Sequence, residues 1–383
     1  MFPTRRITTM GGDKFRDEYS LAFDGTNDYI ATGFVPNYTN ITVSTWLKVS
    51  LDANLKAICS ARDSANDGFL FYISADEAPV IKLNGTSITG NTLVADVWTH
   101  VAFTWDGSTI KLYQNGELRN NTSESSVMNI SKTMEIGGES STTAANYYYY
   151  GNISEVAVYN TQLNNGQIMT LYNGREPYNH KEGIASGNLQ GWWRMGDGTL
   201  DSRHLVETDT QVISDEVTPT IGSTLWDSPA SVFTSGTYSW EEYADSTISN
   251  DSNTLKIVKD AHDSTQDGAY LYLKNASDLS SDLTVGKVYK IKFDAKVNTG
   301  TIQYQVVTGT AGTDNLTWEL SNTSFQTIEG YFVAGHATDA YLRTKNMVTG
   351  QIAWFDNISL QEVGGNAGVM QNMDAVSFKG DTP

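Results

Sequence analysis

The sequence has one cysteine and five histidines among its 383 residues. It also lacks any apolar run of the roughly 18 residues that a membrane-spanning helix needs. Because Cys59 is the sole cysteine, an intrachain disulfide is excluded, and its place between an apolar run and a turn predicts a small buried side chain. The first 20 residues lack the apolar core of a secretory signal. We therefore expect no membrane insertion and no export through an N-terminal signal.

Positive charge is also scarce. Lys and Arg total 25 against 44 Asp and Glu, which gives a formal net charge of −19. Such a surface repels phosphate backbones and anionic lipids, so nucleic acid is excluded as a partner. We interpret the acidity as an aid to solubility, and binding of divalent cations stays open.

Catalytic patterns are missing. The histidines show no HExxH or His-x-His spacing, and His100 is expected to be structural. Hydrolysis of a glycosidic bond needs two carboxyl groups facing one space, whereas the adjacent acids of "WEEYADS" should point to opposite faces of a strand. We predict that the protein is not an enzyme.

Short strands and tight turns dominate residues 19–175, at the 8- to 12-residue spacing of an all-β sandwich. In "HVAFTWDGSTIKLYQNGEL", Asp106-Gly107 and Asn115-Gly116 are each predicted to close a hairpin with a type I′ turn, which needs positive φ at both central residues. Alternation in "TWLKV" predicts one face toward the core and one toward water, with Trp46 among the core candidates. Four other tryptophans are predicted to be core residues: Trp98, Trp105, Trp192 and Trp193.

One segment favours a helix. In "TQLNNGQIMTLYNGREP", Leu163, Ile168 and Leu171 can share a face before Gly174 and Pro177 end the helix. We expect this short helix to close one end of the sandwich.

A second run of alternating strands follows, at 222–363. The predicted fold is all-β, with two antiparallel β-sandwich (jelly-roll) domains in tandem. We divide the chain into an N-terminal arm (1–18), a first sandwich (19–221), a second sandwich (222–363) and a C-terminal tail (364–383). The arm is interpreted equally as a tether or as a frayed end.

Five segments carry a resemblance to a known family: "FDGTNDYI", "WTHVAFTWDG", "IKLYQNGEL", "YYGNISEVAVYN" and "LYNGREP". In this order they resemble the LamG-like jelly roll of the concanavalin A-like lectin/glucanase superfamily. The resemblance implies a two-sheet jelly roll that attaches to carbohydrate or protein. In the second region, "YKIKFDAKV", "FQTIEGYFVAG" and "WFDNISLQEV" are similar to carbohydrate-binding modules of the galactose-binding-like group.

Two further segments, "NLQGWWRMGDGTLDS" and "GNAGVMQNMDAVSFKGDTP", resemble the closing pieces of LamG-like structural proteins of tailed phages of aquatic bacteria. This resemblance implies that the second sandwich is inserted ahead of the ending. We therefore expect residues 365–383 to pack on or near the first sandwich.

Aromatic residues are the main binding signal, because sugar rings stack on exposed aromatic planes. Four consecutive tyrosines in one strand would place two on each face, which forces some of them outward. The predicted glycan- or partner-binding residues are Tyr147, Tyr148, Tyr149, Tyr150, Trp240, Tyr243 and Trp318. A neighbouring subunit could cover the tyrosines instead, so a homo-oligomer stays open.

Calcium is the one expected cofactor, in a structural role. "DSANDG" (63–68) and "DSTQDG" (263–268) fail the EF-hand spacing and are interpreted as turns. The carbohydrate-binding-module resemblance implies a calcium ligand at Asp356, and we add Asp24 and Asp28 of the first sandwich as candidates.

We expect a non-enzymatic structural, decoration or appendage protein of a tailed phage. It would be made in the host cytoplasm and displayed on the virion surface. Its expected partners are other virion proteins and cell-surface glycans. The alternative is a bacterial secreted or surface adhesin that binds polysaccharide, and a glycoside hydrolase is the least favoured interpretation.

Overall fold

The structure is a computed structural model. It describes residues 15–139, 147–202, 211–218, 220–226, 230–243, 245–261, 268–308, 314–373 and 375–383. Within these ranges nearly all regular structure is β, and the sheets are antiparallel. This confirms the predicted all-β fold with antiparallel sandwiches.

The described residues before 220 form fourteen strands and one α-helix. They are β1 (Ser20–Asp24), β2 (Tyr29–Thr32), β3 (Ile41–Val49), β4 (Lys56–Ser64), β5 (Asp67–Ile73), β6 (Pro79–Leu83), β7 (Thr86–Thr89), β8 (Thr99–Trp105), β9 (Thr109–Gln114), β10 (Glu117–Ser123), β11 (Glu135–Ile136), β12 (Tyr150–Tyr159), α1 (Asn165–Tyr172), β13 (Leu189–Trp193) and β14 (Val212–Ile213).

Thirteen strands follow. They are β15 (Ile221–Thr224), β16 (Glu241–Glu242), β17 (Ser246–Asn250), β18 (Leu255–Lys259), β19 (Ala269–Tyr272), β20 (Val288–Val297), β21 (Ile302–Thr308), β22 (Asp314–Leu320), β23 (Gln326–Val333), β24 (Ala340–Lys345), β25 (Ile352–Val363), β26 (Gly368–Gln371) and β27 (Phe378–Lys379).

The first sandwich consists of two sheets. One has the order β10-β9-β8-β3-β12-β1-β27, with β13 also paired to β12, and the other has the order β14-β26-β2-β11-β4-β5-β6-β7. Apolar side chains from both sheets form one core between them, including Phe69, Phe103 and Trp193. Cys59 lies in this core and is fully buried, as expected.

The C-terminal residues belong to the first sandwich. Strand β26 pairs with both β14 and β2, and β27 pairs with β1. Beyond β27, the Asp381 side chain accepts a hydrogen bond from Trp98 Nε1 at 3.1 Å and forms an ion pair with Lys48. Trp98 is consequently half-exposed and tied to the tail, so its predicted place in the core is wrong.

The second sandwich lies in the chain between β14 and β26. Its sheets are β17-β18-β25-β20-β23, with β15 paired to β25, and β16-β19-β24-β21-β22. They enclose a second core that includes Phe293, Tyr304 and Phe355. The chain thus leaves the first sandwich after β14, forms the second sandwich, and returns to the first sandwich at β26.

The two predicted hairpins are present, but only one has the predicted turn. Asn115 and Gly116 have φ of 50° and 79°, as a type I′ turn requires. The other loop has three residues, and only Gly107 has positive φ. The Asp106 carboxylate accepts hydrogen bonds from the Ser108 and Thr109 amides, and this local bonding stabilises the longer loop.

Helix α1 covers a face of the sandwich, so the predicted place at its end is wrong. Ile168 and Leu171 are buried, together with Leu163 just before the helix, in a separate small apolar cluster on the outer side of the first sheet. Strand β3 is therefore covered on both sides, and Trp46 stacks on Tyr172 with ring centroids 5.8 Å apart. This corrects the expectation that one face of β3 meets water.

Candidate functional site

Two surfaces bring aromatic and polar side chains together. We define the first, the Tyr147 cleft, as an open cleft of about 420 Å³ on the first sandwich. Its lining residues are Gly25, Asp52, Ala53, Asn54, Leu55, Tyr147 and Tyr148.

The loop between β3 and β4 forms one wall of the Tyr147 cleft, and a buried cation holds it. The Lys56 side chain is fully buried, with Nζ 2.6 Å from Asp52 Oδ1 and 3.1 Å from Glu77 Oε2. Glu77 Oε1 also accepts a hydrogen bond from the Ala53 amide at 3.2 Å. Partial burial opposes ionisation of Asp52, but hydrogen bonds from Lys56 and Asn54 outweigh it and lower the pKa of this carboxyl.

Two tyrosines form the opposite wall. Tyr147 and Tyr148 precede β12 and are half-buried, and the Tyr148 ring lies 6.3 Å from that of Tyr29. Tyr150, the first residue of β12, is 39% exposed. Tyr149 is fully buried against Phe23, so its predicted place at a binding surface is wrong. The prediction treated all four tyrosines as one strand, whereas only Tyr150 lies in β12.

We define the second surface, the tyrosine face, as Tyr243, Tyr270, Tyr272 and Tyr341 on the outer side of the β16-β19-β24-β21-β22 sheet. Tyr272 pairs directly with Tyr341 across β19 and β24, and their ring centroids are 6.0 Å apart. Tyr270 lies 5.5 Å from Tyr272 and 6.1 Å from Tyr243. Tyr243 is 38% exposed and the other three are half-buried.

Alternation along the strands turns these rings outward. Leu271 and Leu342, which lie between the outward residues of β19 and β24, are fully buried in the second core. The other side of this sheet packs into the second core. This packing holds the backbone of the strands that carry the tyrosines.

A row of polar side chains continues the tyrosine face across the sheet. Arg343 Nε donates to Gln305 Oε1 at 2.8 Å, and Gln303 Nε2 donates to Glu319 Oε1 at 3.1 Å. The Arg343 guanidinium also lies 5.5 Å from the Tyr341 ring centre. Amide, guanidinium and carboxylate groups beside aromatic rings match the hydroxyls and C–H faces of a sugar.

At the rim of the tyrosine face, the Tyr270 hydroxyl donates to Glu241 Oε2 at 2.7 Å. This hydrogen bond, together with partial burial, raises the pKa of Tyr270 to about 12. The phenol therefore stays a neutral hydrogen-bonding group throughout the physiological pH range.

Two other predicted binding residues are buried. Trp240 packs on Phe355 with ring centroids 4.8 Å apart, and Trp318 packs edge-on against Phe293. Both have 5% exposure or less, so neither can stack on a ligand, and these two predictions are wrong. Leu316, Trp318 and Leu320 are two residues apart along β22 and share one face of the strand. Because both leucines are buried, this face points inward.

Sequence reasoning missed Tyr270, Tyr272 and Tyr341. The signal was available, because "AYLYLKN" and "AYLRTKN" place Tyr270 with Tyr272, and Tyr341 with Arg343, at i and i+2 on one strand face. The sequence pattern does not show that β19 lies next to β24, and this strand pairing is what brings Tyr270 and Tyr272 beside Tyr341.

The predicted metal ligands lie at two separate places. Asp24 Oδ1 accepts from the Thr26 amide at 2.7 Å, and Asp28 Oδ2 accepts from the Asp24 amide at 2.9 Å, so both carboxylates hold a turn. Asp356 lies opposite Asp294, and Asn357 Nδ2 donates to both carboxylates. Within the described ranges, no group of three or more His, Cys, Asp or Glu side chains is arranged to hold a metal ion.

Burial raises the pKa of Asp356, and the neighbouring Asp294 adds to this effect. The two carboxylates supply oxygen ligands of the type that calcium prefers, but they are fewer than a calcium site needs. Calcium at Asp356 stays a prediction.

The remaining histidine and turn predictions have mixed outcomes. His100 is buried, with Nε2 2.8 Å from Ser44 Oγ, and burial lowers its pKa to about 3, as a structural histidine requires. Ala65 and Asn66 form a turn between β4 and β5, which supports the turn interpretation of "DSANDG", and Asp63 and Asp67 accept hydrogen bonds from the backbone amides of residues 131 and 129. His204, His262, residues 263–267 and residues 1–14 of the predicted arm lie outside the described residues.

The described part of the chain contains no helix with the length and apolarity needed to cross a membrane.

Comparison with known proteins agrees with the geometry of the first sandwich. Residues 24–169 match the family model described as the concanavalin A-like lectin/glucanases superfamily. This part of the chain is similar to a concanavalin A-like jelly roll. No curated protein is significantly similar to the chain.

Several solved structures are similar to parts of the chain. A heptameric SAP-like pentraxin from Limulus polyphemus is 18% identical, with a TM-score of 0.35, over 42% of this chain and 84% of its own. A carbohydrate-binding module (CBM40) of the Ruminococcus gnavus IT-sialidase is 18% identical, with a TM-score of 0.35, over 40% and 96%. A candidate carbohydrate-binding protein from Bacteroides ovatus is 16% identical, with a TM-score of 0.41, over 53% and 57%. Similarity of this degree carries no conclusion about ligands.

Proposed function

We propose that the protein is a non-enzymatic glycan-binding protein and that the tyrosine face is its principal binding surface. The observation that carries this proposal is the tyrosine face itself, with the half-exposed Arg343 beside it and Gln303 and Glu319 farther across the same sheet. Aromatic rings stack on sugar rings, and neighbouring amides and charged groups bind the hydroxyls.

The Tyr147 cleft is the second candidate surface. It also combines tyrosines with a carboxylate and an amide, but Asp52 and Asn54 already bond to Lys56 and to each other. Its lining includes two tyrosine rings, against four on the tyrosine face, so we rank it second.

A glycan array with three proteins tests this proposal. Wild type should bind, Tyr272→Ala/Tyr341→Ala should lose the signal, and Tyr147→Ala/Tyr148→Ala should retain it. Loss of signal only in the Tyr147/Tyr148 variant would move the site to the Tyr147 cleft. An absence of binding by wild type across the array would contradict the proposed function.

Calcium is proposed as a structural ion at Asp356, on the resemblance stated above. Thermal unfolding in calcium and then in EDTA tests it. The wild-type melting temperature should fall in EDTA, and Asp356→Asn should abolish this difference. An identical melting temperature in both conditions would contradict the proposed calcium ion at Asp356.

The proposed setting is the virion surface of a tailed phage, with the protein made in the host cytoplasm and bound to other virion proteins. Its support is the resemblance of the two closing segments. A bacterial surface or secreted adhesin is equally consistent with a lectin-like fold. Detection of the protein in purified particles favours the first setting, and its detection only on intact bacterial cells favours the second.

A further inference from the structure

A short segment near the N-terminus is docked on the first sandwich. The Phe15 ring stacks on Trp192 with centroids 6.0 Å apart, and the Arg194 guanidinium lies 4.4 Å from the Phe15 ring centre. Downstream, the amides of Glu18 and Tyr19 both donate to Asp197 Oδ2, at 2.7 and 2.8 Å. We call residues 15–19 the docked segment.

The centre of the docked segment places one carboxyl group against another. Asp17 faces Glu155, the residue beside Ser154, and its two oxygens accept hydrogen bonds from Ser154 Oγ at 3.2 and 3.3 Å. Glu155 is 1% exposed, and its carboxylate accepts from Trp192 Nε1 at 2.5 Å and from Arg194 Nε at 3.0 Å. A carboxylate has no proton to donate, so a hydrogen bond between two carboxyl groups requires that one of them is protonated.

The backbone is shaped to make this contact. A β-bulge interrupts the pairing of β12 with β3 between Ser154 and Ala157, and Glu155 within it has φ of 53°. A non-glycine residue held in the left-handed region is strained and needs its surroundings to maintain it. The bulge thus presents Glu155 to the docked segment rather than to the sheet.

The other charged groups around Asp17 cannot replace the proton. Arg194 already bonds to Glu155 and donates to the Arg16 carbonyl oxygen. Asp197 adds a second negative charge, and Arg16 forms an ion pair with the exposed Glu18, at 3.4 Å. His180 lies against Trp192, but burial lowers its pKa to about 3, so it is neutral above that pH.

We propose that the docked segment is a pH-sensitive latch, released as the proton shared by Asp17 and Glu155 is lost. Release replaces the shared hydrogen bond by repulsion between two carboxylates and uncovers Trp192 and Arg194. This inference is independent of the proposed glycan binding.

The direction of the pH effect follows from linkage. Burial first, and Glu155 second, raise the pKa of Asp17 well above that of a free carboxyl group. Docking therefore takes up a proton. The proton's stabilisation of the docked state is complete below the pKa of the undocked Asp17 carboxyl group, and it is lost as pH rises toward the pKa of the docked group. The open fraction should increase by up to about tenfold per pH unit within that window.

Hydrogen exchange of the Glu18 and Tyr19 amides in the full-length protein tests the latch. Exchange rates of wild type and of Asp17→Asn are compared from about pH 5 to about pH 9. The asparagine supplies a permanent amide donor to Glu155. Exposed Asp76→Asn is the matched charge control. Taking the ratio to Asp17→Asn at each pH removes the intrinsic pH dependence of exchange, and thermal unfolding checks that each variant is folded.

We expect the corrected opening of wild type and Asp76→Asn to rise by at least about tenfold across this range relative to Asp17→Asn. A ratio that stays constant within about twofold would overturn the latch, and so would a segment that is open in Asp17→Asn at every pH. A carboxyl-carbon NMR titration gives a second readout. An Asp17 signal that titrates in the ordinary carboxyl range would also overturn the proposal.

Discussion

Lys56 shows how a single residue shapes a candidate site. Its ammonium group is fully buried and compensated by Asp52 and Glu77, which together hold the loop that forms one wall of the Tyr147 cleft. A buried ion pair adds little net stability compared with apolar residues, but breaking it leaves a charge without a partner. The geometry of the wall therefore depends on a side chain that is itself fully buried.

Lys56→Met should lower the free energy of unfolding by about 3–5 kcal/mol, because Asp52 and Glu77 would lose their buried counter-charge. Chemical denaturation followed by tryptophan fluorescence measures this. Lys82→Met, on a half-buried lysine of β6, is the control and should change the value by less than about 0.5 kcal/mol. A similar small change for both variants would contradict the assigned role of Lys56.

His100 should make the first sandwich sensitive to acid. Burial lowers its pKa from 6.5 to about 3, so stability is lost as pH falls through that interval, because the unfolded chain takes up the proton first. In His100→Gln the fall in melting temperature on acidification should be shallower than in wild type. His336→Gln, on a histidine outside the two cores, should follow wild type, and equal slopes for all three proteins would contradict this account.

At the scale of elements, the sequence patterns predict where strands and turns occur better than they predict which other elements pack against them. Asn115-Gly116 encodes its turn locally, since both residues tolerate positive φ. The position of α1 depends on the outer side of the first sheet, where Trp46 and Tyr172 meet from distant segments. For the same reason the Tyr272 and Tyr341 pair was not predicted, whereas the inward direction of Trp318 could be read from its own strand.

Strand β26 should be essential to the first sandwich, because it lies between β14 and β2 in the interior of a sheet. Truncation after Gly364 removes it and should abolish cooperative unfolding of the first sandwich. Truncation after Met373 removes only the edge strand β27 and the Asp381 contacts, and it should leave a folded protein with a lower melting temperature. Calorimetry of both truncations tests this, and equal stability of the two would contradict it.

For the whole molecule, a small apolar cluster joins the two sandwiches. Its buried members come from β14, β20, β23, β25 and β26 and from the residue before β26: Val212, Val288, Tyr331, Val363, Val369 and Ala367. The cluster lies where the chain leaves the first sandwich and returns to it. It should make the two sandwiches unfold together.

Tyr331→Ala should uncouple them, because it removes the largest side chain of the cluster at a cost of about 3–5 kcal/mol. Differential scanning calorimetry should then show two transitions in place of one. Phe325→Ala, on an exposed ring of the second sandwich, should leave a single transition. Two transitions already present in wild type would contradict the coupling.

The most direct test of the central claim is calorimetric titration of a soluble glycan, selected on the array, into wild type and Tyr272→Ala/Tyr341→Ala. Each lost stacking contact of about 1.4 kcal/mol should weaken binding about tenfold, so the double variant should bind about 100-fold more weakly. Phe325→Ala, which removes an exposed ring next to β23 of the opposite sheet, should bind as wild type does. A double variant that stays folded and binds with wild-type affinity would contradict the assignment of the tyrosine face.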